Sequence, residues 1–160
     1  MSKKFWLGVL YVAVIGALSN VAALFIKRDK LNEHKAPLKP FKWENNGKVY
    51  DRLAVRKWKS KVPDMSKILK FLLPKQIKPG TTSNDIKALI KETCVAEIVH
   101  EALILLSSAV IFICPGLEGI LLFLLCIAGN LPFIIIQRYN RPQYIKAERR
   151  LQHREERLGK

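Results

Sequence analysis

The chain has only three cysteines, Cys94, Cys114 and Cys126, and their spacing gives no disulfide framework, redox motif or metal cluster. Two of them lie within apolar runs, where they read as small packing residues. No internal repeat and no low-complexity tract is present. Serine and cysteine stand at no spacing that marks an activated nucleophile. Acidic residues are also scarce, with 13 Asp and Glu against 28 Lys and Arg and a formal net charge of +15. A balance that basic raises nucleic acid as a partner. It is set aside because no recognition motif accompanies the charge and membrane topology accounts for it.

Mean hydropathy is +0.06 despite that charge, a combination that requires apolar residues gathered into spans and basic residues into their flanks. Phe5 to Ile26 provides 22 residues without a charge, enough to cross a hydrocarbon core of roughly 30 Å. Ala102 to Ile113 and Ile120 to Ile136 are two further apolar runs, joined by the breaker-rich Cys114-Pro115-Gly116-Leu117-Glu118-Gly119. The expected fold is an all-α integral membrane protein with about three transmembrane helices, an N-terminal span and a C-terminal helical hairpin, and a basic interfacial amphipathic segment between them. The corresponding divisions are residues 1–26, 27–82, 83–142 and a charged tail at 143–160. A signal peptide is the alternative for the first segment, but its uninterrupted length exceeds the usual h-region of about 7–15 residues.

Of the basic residues, 2 precede Phe5, 18 lie between Lys27 and Lys91, and 8 follow Ile136. Positive charge favours the cytoplasmic face. The middle segment and the tail are therefore expected to be cytoplasmic, with Cys114 to Gly119 outside, and the N-terminus outside if the first segment spans.

Within the middle segment, Asn46-Gly47 reads as a turn between short extended pieces. Arg52, Arg56, Lys57, Lys59 and Lys61 surround Trp58. Met65, Ile68, Leu69, Leu72 and Leu73 form an amphipathic stripe suited to an interface, and Pro74 to Gly80 ends it. Thr82 or Ser83 with Asp85 can open the next helix, which runs on to Ile113.

The polar residues that enter that helix are the main functional signal. Glu92, His100, Glu97 and Glu101 fall near 0°, 80°, 140° and 180°, on one half of the helix surface, at about 100° per residue. Ionisable groups at membrane depth are costly and mark functional sites. Measured from Ile113 at about 1.5 Å per residue, His100 is roughly 20 Å deep and Glu97 roughly 24 Å. On the return helix, measured from Ile120, Asn130 comes at about 15 Å and Gln137 at about 26 Å, which brings Arg138 level with Glu97. His100, Glu97, Gln137 and Arg138 are expected to meet close to Arg56-Lys57-Trp58-Lys59. A structural reading stands beside this one, in which carboxylates and Arg138 or Arg141 pair to fix helix packing and the basic residues around Trp58 attract anionic lipid. Glu97-x-x-His100 also resembles half of a carboxylate-bridged metal site, but no second copy exists, and no metal is expected.

Arg56-Lys57-Trp58-Lys59-Ser60-Lys61-Val62-Pro63-Asp64, then Glu92-Thr93-Cys94-Val95-Ala96-Glu97 with His100, then Asn130-Leu131-Pro132 and Gln137-Arg138-Tyr139-Asn140-Arg141-Pro142 resemble the glycosyl-4,4'-diaponeurosporenoate acyltransferase family, small bacterial membrane proteins. The resemblance runs from about Phe41 to Pro142. It implies transfer of a fatty acyl group to a sugar hydroxyl of a glycosylated carotenoid. Two departures limit that inference to reaction class. Glu101 stands where the family often has an aromatic residue after the histidine, and Cys114-Pro115-Gly116 where it has a Trp-Asn-Pro-like turn.

The expected mechanism is direct acyl transfer from a thioester such as acyl-CoA, with no cofactor, to a hydroxyl of a glycosylated isoprenoid or other membrane glycolipid. His100 is the candidate general base and Glu97 the residue that holds its tautomer. Arg56, Lys57, Arg138 and Arg141 are candidates for donor or headgroup phosphates, with Trp58, Glu92 and Gln137 also assigned to substrate binding. Asn130 would stabilise the oxyanion or bind sugar. Membrane lipids and a lipid-linked acceptor are the expected partners, and three spans enclose so little volume that a second copy or a partner membrane protein is a candidate to close the cavity. The rivals are a non-catalytic membrane component of a lipid-handling complex and a small lipid methyltransferase using S-adenosylmethionine.

Overall fold

The computed structural model of the chain describes residues 2–62 and 81–159. The stripe from Met65 to Leu73 and the breaker from Pro74 to Gly80 lie outside them. The regular elements among the described residues are all helical: α1 (Lys3–Phe25), α2 (Val55–Trp58), α3 (Ser83–Ser107), α4 (Val110–Ile113) and α5 (Leu117–Arg157), with 3-10 turns at Arg28–Lys30 and Lys42–Asp51. Three stretches are long and apolar enough to cross a membrane: α1, the run Ser83–Ile113 that joins α3 to α4, and α5. That is the expected architecture. Two compact units divide the chain, one of residues 1–27 with 95–134, the other of residues 28–94 with 135–160.

The first unit contains α1, the later part of α3, α4 and the earlier part of α5. Ser2 caps α1 by accepting the Phe5 N–H at 3.1 Å and donates its own hydroxyl to Glu118 at 2.7 Å. The turn between α4 and α5 is held by a close backbone approach at Gly119. A Cβ there would sit 1.9 Å from the Cys114 carbonyl oxygen, so no side chain is admitted without moving the hairpin. Trp6, Leu10, Leu18, Leu105, Phe112 and Leu125 all face outward, Phe112 with 83% of its surface exposed. Apolar exposure on that scale opposes solubility in water and suits a hydrocarbon solvent, where the helices satisfy their own backbone groups.

The second unit holds the start of α3 and the end of α5. Thr82 and Asp85 form a reciprocal cap, the Thr82 N–H donating to Asp85 Oδ2 at 2.8 Å and the Asp85 N–H to Thr82 Oγ1 at 3.2 Å. Ile86, Leu89 and Ile90 then pack against Tyr144, Ile145 and Leu151, while the Ser83 N–H donates to Glu155 at 2.9 Å. Residues 143–157 thus continue α5 without a break at 142, and their apolar face covers the start of α3 instead of being solvated throughout.

Asn45, Asn46 and Gly47 have φ of 46°, 54° and 87°, which makes the expected turn. Its flanks are 3-10 turns rather than extended pieces, because the Glu44 carboxylate reaches back to accept the Phe41 N–H at 2.6 Å and closes a helical turn. Gly47 is buried against α5, where a Cβ would meet the carbonyl oxygens of Tyr139 at 3.4 Å and Arg138 at 3.6 Å. The Arg138 carbonyl is one that Pro142, lacking an N–H, cannot serve within the helix. A left-handed glycine permits this approach.

Gly119→Ala is expected to destabilise the protein by roughly 1–3 kcal/mol through overpacking, read as a lowered midpoint of thermal unfolding in detergent. Gly16→Ala, which meets nothing within 4 Å, is the control and should leave the midpoint unchanged.

Candidate functional site

In the first unit, α3 and α5 bring His100 and Asn130 together. Nδ1 of His100 lies 2.8 Å from Asn130 Oδ1, and the Asn130 amide nitrogen donates to the Cys126 carbonyl at 2.8 Å. Since that second bond uses the amide N–H, the oxygen is the atom turned to the ring. His100 must therefore donate from Nδ1, which leaves Nε2 as the basic nitrogen. Phe133, one turn beyond Asn130, stacks on the imidazole with ring centroids 4.5 Å apart and planes 12° from parallel. One helix supplies both the hydrogen bond and the stack that orient the ring. Glu97 lies one turn before His100 on α3 and is fully buried.

Pairing of His100 with Asn130 follows from where α5 begins. The apolar run starts at Ile120, but the helix starts at Leu117, and those three residues add about 5 Å of depth. Asn130 is then thirteen residues from Leu117, as His100 is from Ile113. Asn130 is thus the partner of Nδ1, a place the sequence reading gave to Glu97.

In the second unit, Arg138 and Arg141 are enclosed by chain atoms. Arg138 donates through Nη1 to Glu44 Oε1 at 2.9 Å and through Nη2 to the Pro37 carbonyl at 3.0 Å, and its guanidinium lies 4.5 Å from the centre of the Phe41 ring. Tyr50 donates its hydroxyl to the same Glu44 oxygen at 2.5 Å. Arg141 donates from Nε to Thr93 Oγ1 at 2.9 Å, from Nη1 to the Leu38 carbonyl at 2.5 Å and from Nη2 to the Thr93 carbonyl at 3.0 Å. Each arginine acts as a fork that ties residues 37–50 to α5, and Arg141 also reaches α3.

Glu92 is bound by Arg28, Nε to Oε1, at 2.9 Å. Arg56 and Lys57 are exposed on α2, and Trp58 packs beside the core of Tyr50, Val55 and Tyr139. Lys59 donates to Asn140 at 2.7 Å and lies 4.8 Å from the Tyr139 ring centre. Burial, with the Arg56 charge adding to it, lowers the Lys59 pKa. Gln137 is buried, and its Oε1 has no hydrogen-bond partner among the described residues. No group of three or more His, Cys, Asp or Glu side chains that could hold a metal is assembled among the described residues.

The sequence reading missed Glu44, Arg28, Thr93 and Phe133. Glu44 carried a signal: it is the single carboxylate between Lys35 and Tyr50, set among aromatic residues. Thr93 stood only as one position of the Glu92-to-Glu97 stretch quoted for the resemblance, and Phe133 carried no signal, since a ring within an apolar run is ordinary.

A family model described as glycosyl-4,4'-diaponeurosporenoate acyltransferase matches residues 34–150. The protein of that name from Staphylococcus aureus strain bovine RF122 / ET3-1 is 34% identical over 121 residues, covering 74% of this chain and 72% of its own length. Its counterpart from strain MRSA252 is 36% identical over 123 residues with the same shares. No solved structure matches. The chain belongs to the glycosyl-4,4'-diaponeurosporenoate acyltransferase family. That membership makes it an acyltransferase, and the methyltransferase and non-catalytic alternatives fall away.

Arg138→Ala is expected to strand the buried Glu44 carboxylate and cost about 3–5 kcal/mol of stability, measured by unfolding in detergent. Arg138→Lys keeps the charge but forms only one of the two hydrogen bonds, so a smaller loss is expected.

Proposed function

We propose that the protein is a membrane-embedded enzyme that moves a fatty acyl group from a thioester donor to a hydroxyl of a glycosylated carotenoid or related membrane glycolipid. The family name supports the acceptor class. The observation that carries the catalytic assignment is the His100 ring, hydrogen-bonded through Nδ1 to Asn130 and stacked on Phe133. In that tautomer Nε2 takes the proton from the acceptor hydroxyl as its oxygen attacks the thioester carbonyl. Collapse of the tetrahedral intermediate expels the thiolate, which recovers the proton from the imidazolium. The Glu97 carboxylate, on the same helix one turn away, stabilises the imidazolium while it exists. Asn130 acts here as an orienting group for the base rather than on the oxyanion.

Gln137 offers its buried Oε1 to a donor hydroxyl of the substrate or to water. Arg56 and Lys57 attract anionic headgroups at the membrane surface. Arg138 and Arg141 hold the basic unit together, so they contribute to binding through positioning alone. The wealth of positive charge in residues 27–61 and 138–157 supports a cytoplasmic location for both.

Purified protein in nanodiscs, given labelled acyl-CoA and a lipid extract containing glycosylated carotenoid, should yield a product heavier by one acyl group. General-base contributions are typically about 10²–10⁴-fold, so His100→Ala should lose turnover by that factor while remaining folded. Asn130→Leu should lower kcat more than it changes the acceptor KM; unchanged turnover in both variants eliminates the assignment.

Orientation is tested separately. In intact cells and a background without native cysteines, a membrane-impermeant thiol reagent should label a cysteine placed at Gly116 and leave those at Lys59 and Lys146 unmodified. Labelling at Lys59 would reverse the topology.

A further inference from the structure

A cavity of about 660 Å³ lies within the second unit, between residues 33–48 and the stretch of α5 from Pro142 to His153. Five cations line it: Lys39, Lys48, Lys146, Arg149 and Arg150. No side chain of the five forms an ion pair or hydrogen bond among the described residues, in contrast to Arg138 and Arg141, whose guanidinium nitrogens are committed to the chain itself. Lys146, Arg149 and Arg150 follow one another at helical spacing on one face of α5, where like charges repel. The one carboxylate of the lining, Glu33, is answered by Lys91 at 2.5 Å. Burial acts to raise the Glu33 pKa, and the Lys91 hydrogen bond, a backbone hydrogen bond and the neighbouring Lys91 and His34 charges together outweigh it and lower the pKa. The cavity therefore presents an uncompensated positive field, and its natural complement is a polyanion.

Size narrows the class. Small-molecule and cofactor sites measure roughly 300–1,000 Å³, and the volume of this cavity falls inside that range, well beyond what one phosphate fills. Pro40, Pro142 and Ile145 add apolar wall to the charged rim, which suits a flat heterocycle beside its phosphates. We propose that this cavity holds the phosphate-bearing nucleotide end of the acyl donor, a coenzyme A thioester. The assignment rests on the thioester-donor reading and moves donor recognition from Arg138 and Arg141 to residues that no sequence motif singled out. The arginines supply bidentate donors to phosphate and the lysines supply point charge.

The test uses the full chain in zwitterionic nanodiscs, titrated with acyl-free coenzyme A by calorimetry. Binding is expected for the unmodified protein and should weaken with added salt. Each lost charge-assisted contact costs about tenfold or more in affinity, so Arg149→Ala and Arg150→Ala should each show at least that loss. Arg154→Ala, on the same helix but outside the cavity lining, should bind as before. Affinity for coenzyme A unchanged in Arg149→Ala and Arg150→Ala overturns the location. Variants that lose only affinity for vesicles containing anionic phospholipid, with coenzyme A binding intact, would make this a headgroup site and equally overturn the proposal. Acyl transfer from a thioester in a protein whose cavity binds no coenzyme A would defeat the cavity assignment and leave the donor reading standing. Transfer from a non-thioester donor alone would defeat both.

Discussion

A buried guanidinium must be answered by acceptors at fixed positions, and two of them on one helix organise the basic half of this protein. Arg138 and Arg141 are three residues apart on α5, and each spends its planar fork on the segment that runs from Pro37 to Glu44 or on Thr93. That segment buries Leu38 but leaves Phe41 and Trp43 exposed. Its conformation comes from serving as the acceptor set: the Glu44 carboxylate receives the Arg138 guanidinium, the Tyr50 hydroxyl and the Phe41 N–H together. The carboxylate closes a 3-10 turn locally and a charge pair over long range, so changing it removes both. Gly47 then lets the chain lie against the carbonyls of the same helix.

The histidine is held by a different economy. No ion pair is needed to set its tautomer, because the amide of Asn130 is itself oriented by the Cys126 carbonyl and presents only its oxygen to Nδ1. In the proposed mechanism a neutral orienting group suits a base that must gain and then lose a proton within one turnover, since it does not clamp the imidazolium. In the same proposal the buried Glu97 carboxylate acts on the imidazolium. The division of labour fits direct acyl transfer, where the base is required and a nucleophilic side chain is not.

Charge in this chain has two fates. Arg28, Lys91, Arg138 and Arg141 are consumed by partners within the fold. The cations along Lys146 to Arg150 and those at Lys39 and Lys48 have no such partners among the described residues and gather around a cavity. Sequence counts treat all of them alike, and the net charge of +15 conceals which are committed to the fold and which line the cavity.

The sequence by itself determined the helical membrane class, the three apolar stretches, the hairpin turn, a helix start at Thr82 or Ser83 with Asp85, and the place of His100 and Glu97 on one helix. These rest on local hydropathy, helical period and breaker residues, which act over a few positions. It did not determine that Asn130 rather than Glu97 meets Nδ1, because a three-residue error in the start of α5 shifts every depth on that helix by most of a turn. Nor did it reveal Glu44 as the partner of Arg138, a contact across 94 positions. Residues 143–160 read only as a charged tail because Ile145 and Leu151 are sparse there, and only the apolar start of α3 gives them something to cover. Pairing between distant charges depends on which backbone carbonyls and carboxylates the fold brings within about 3 Å, and that is settled by tertiary structure alone.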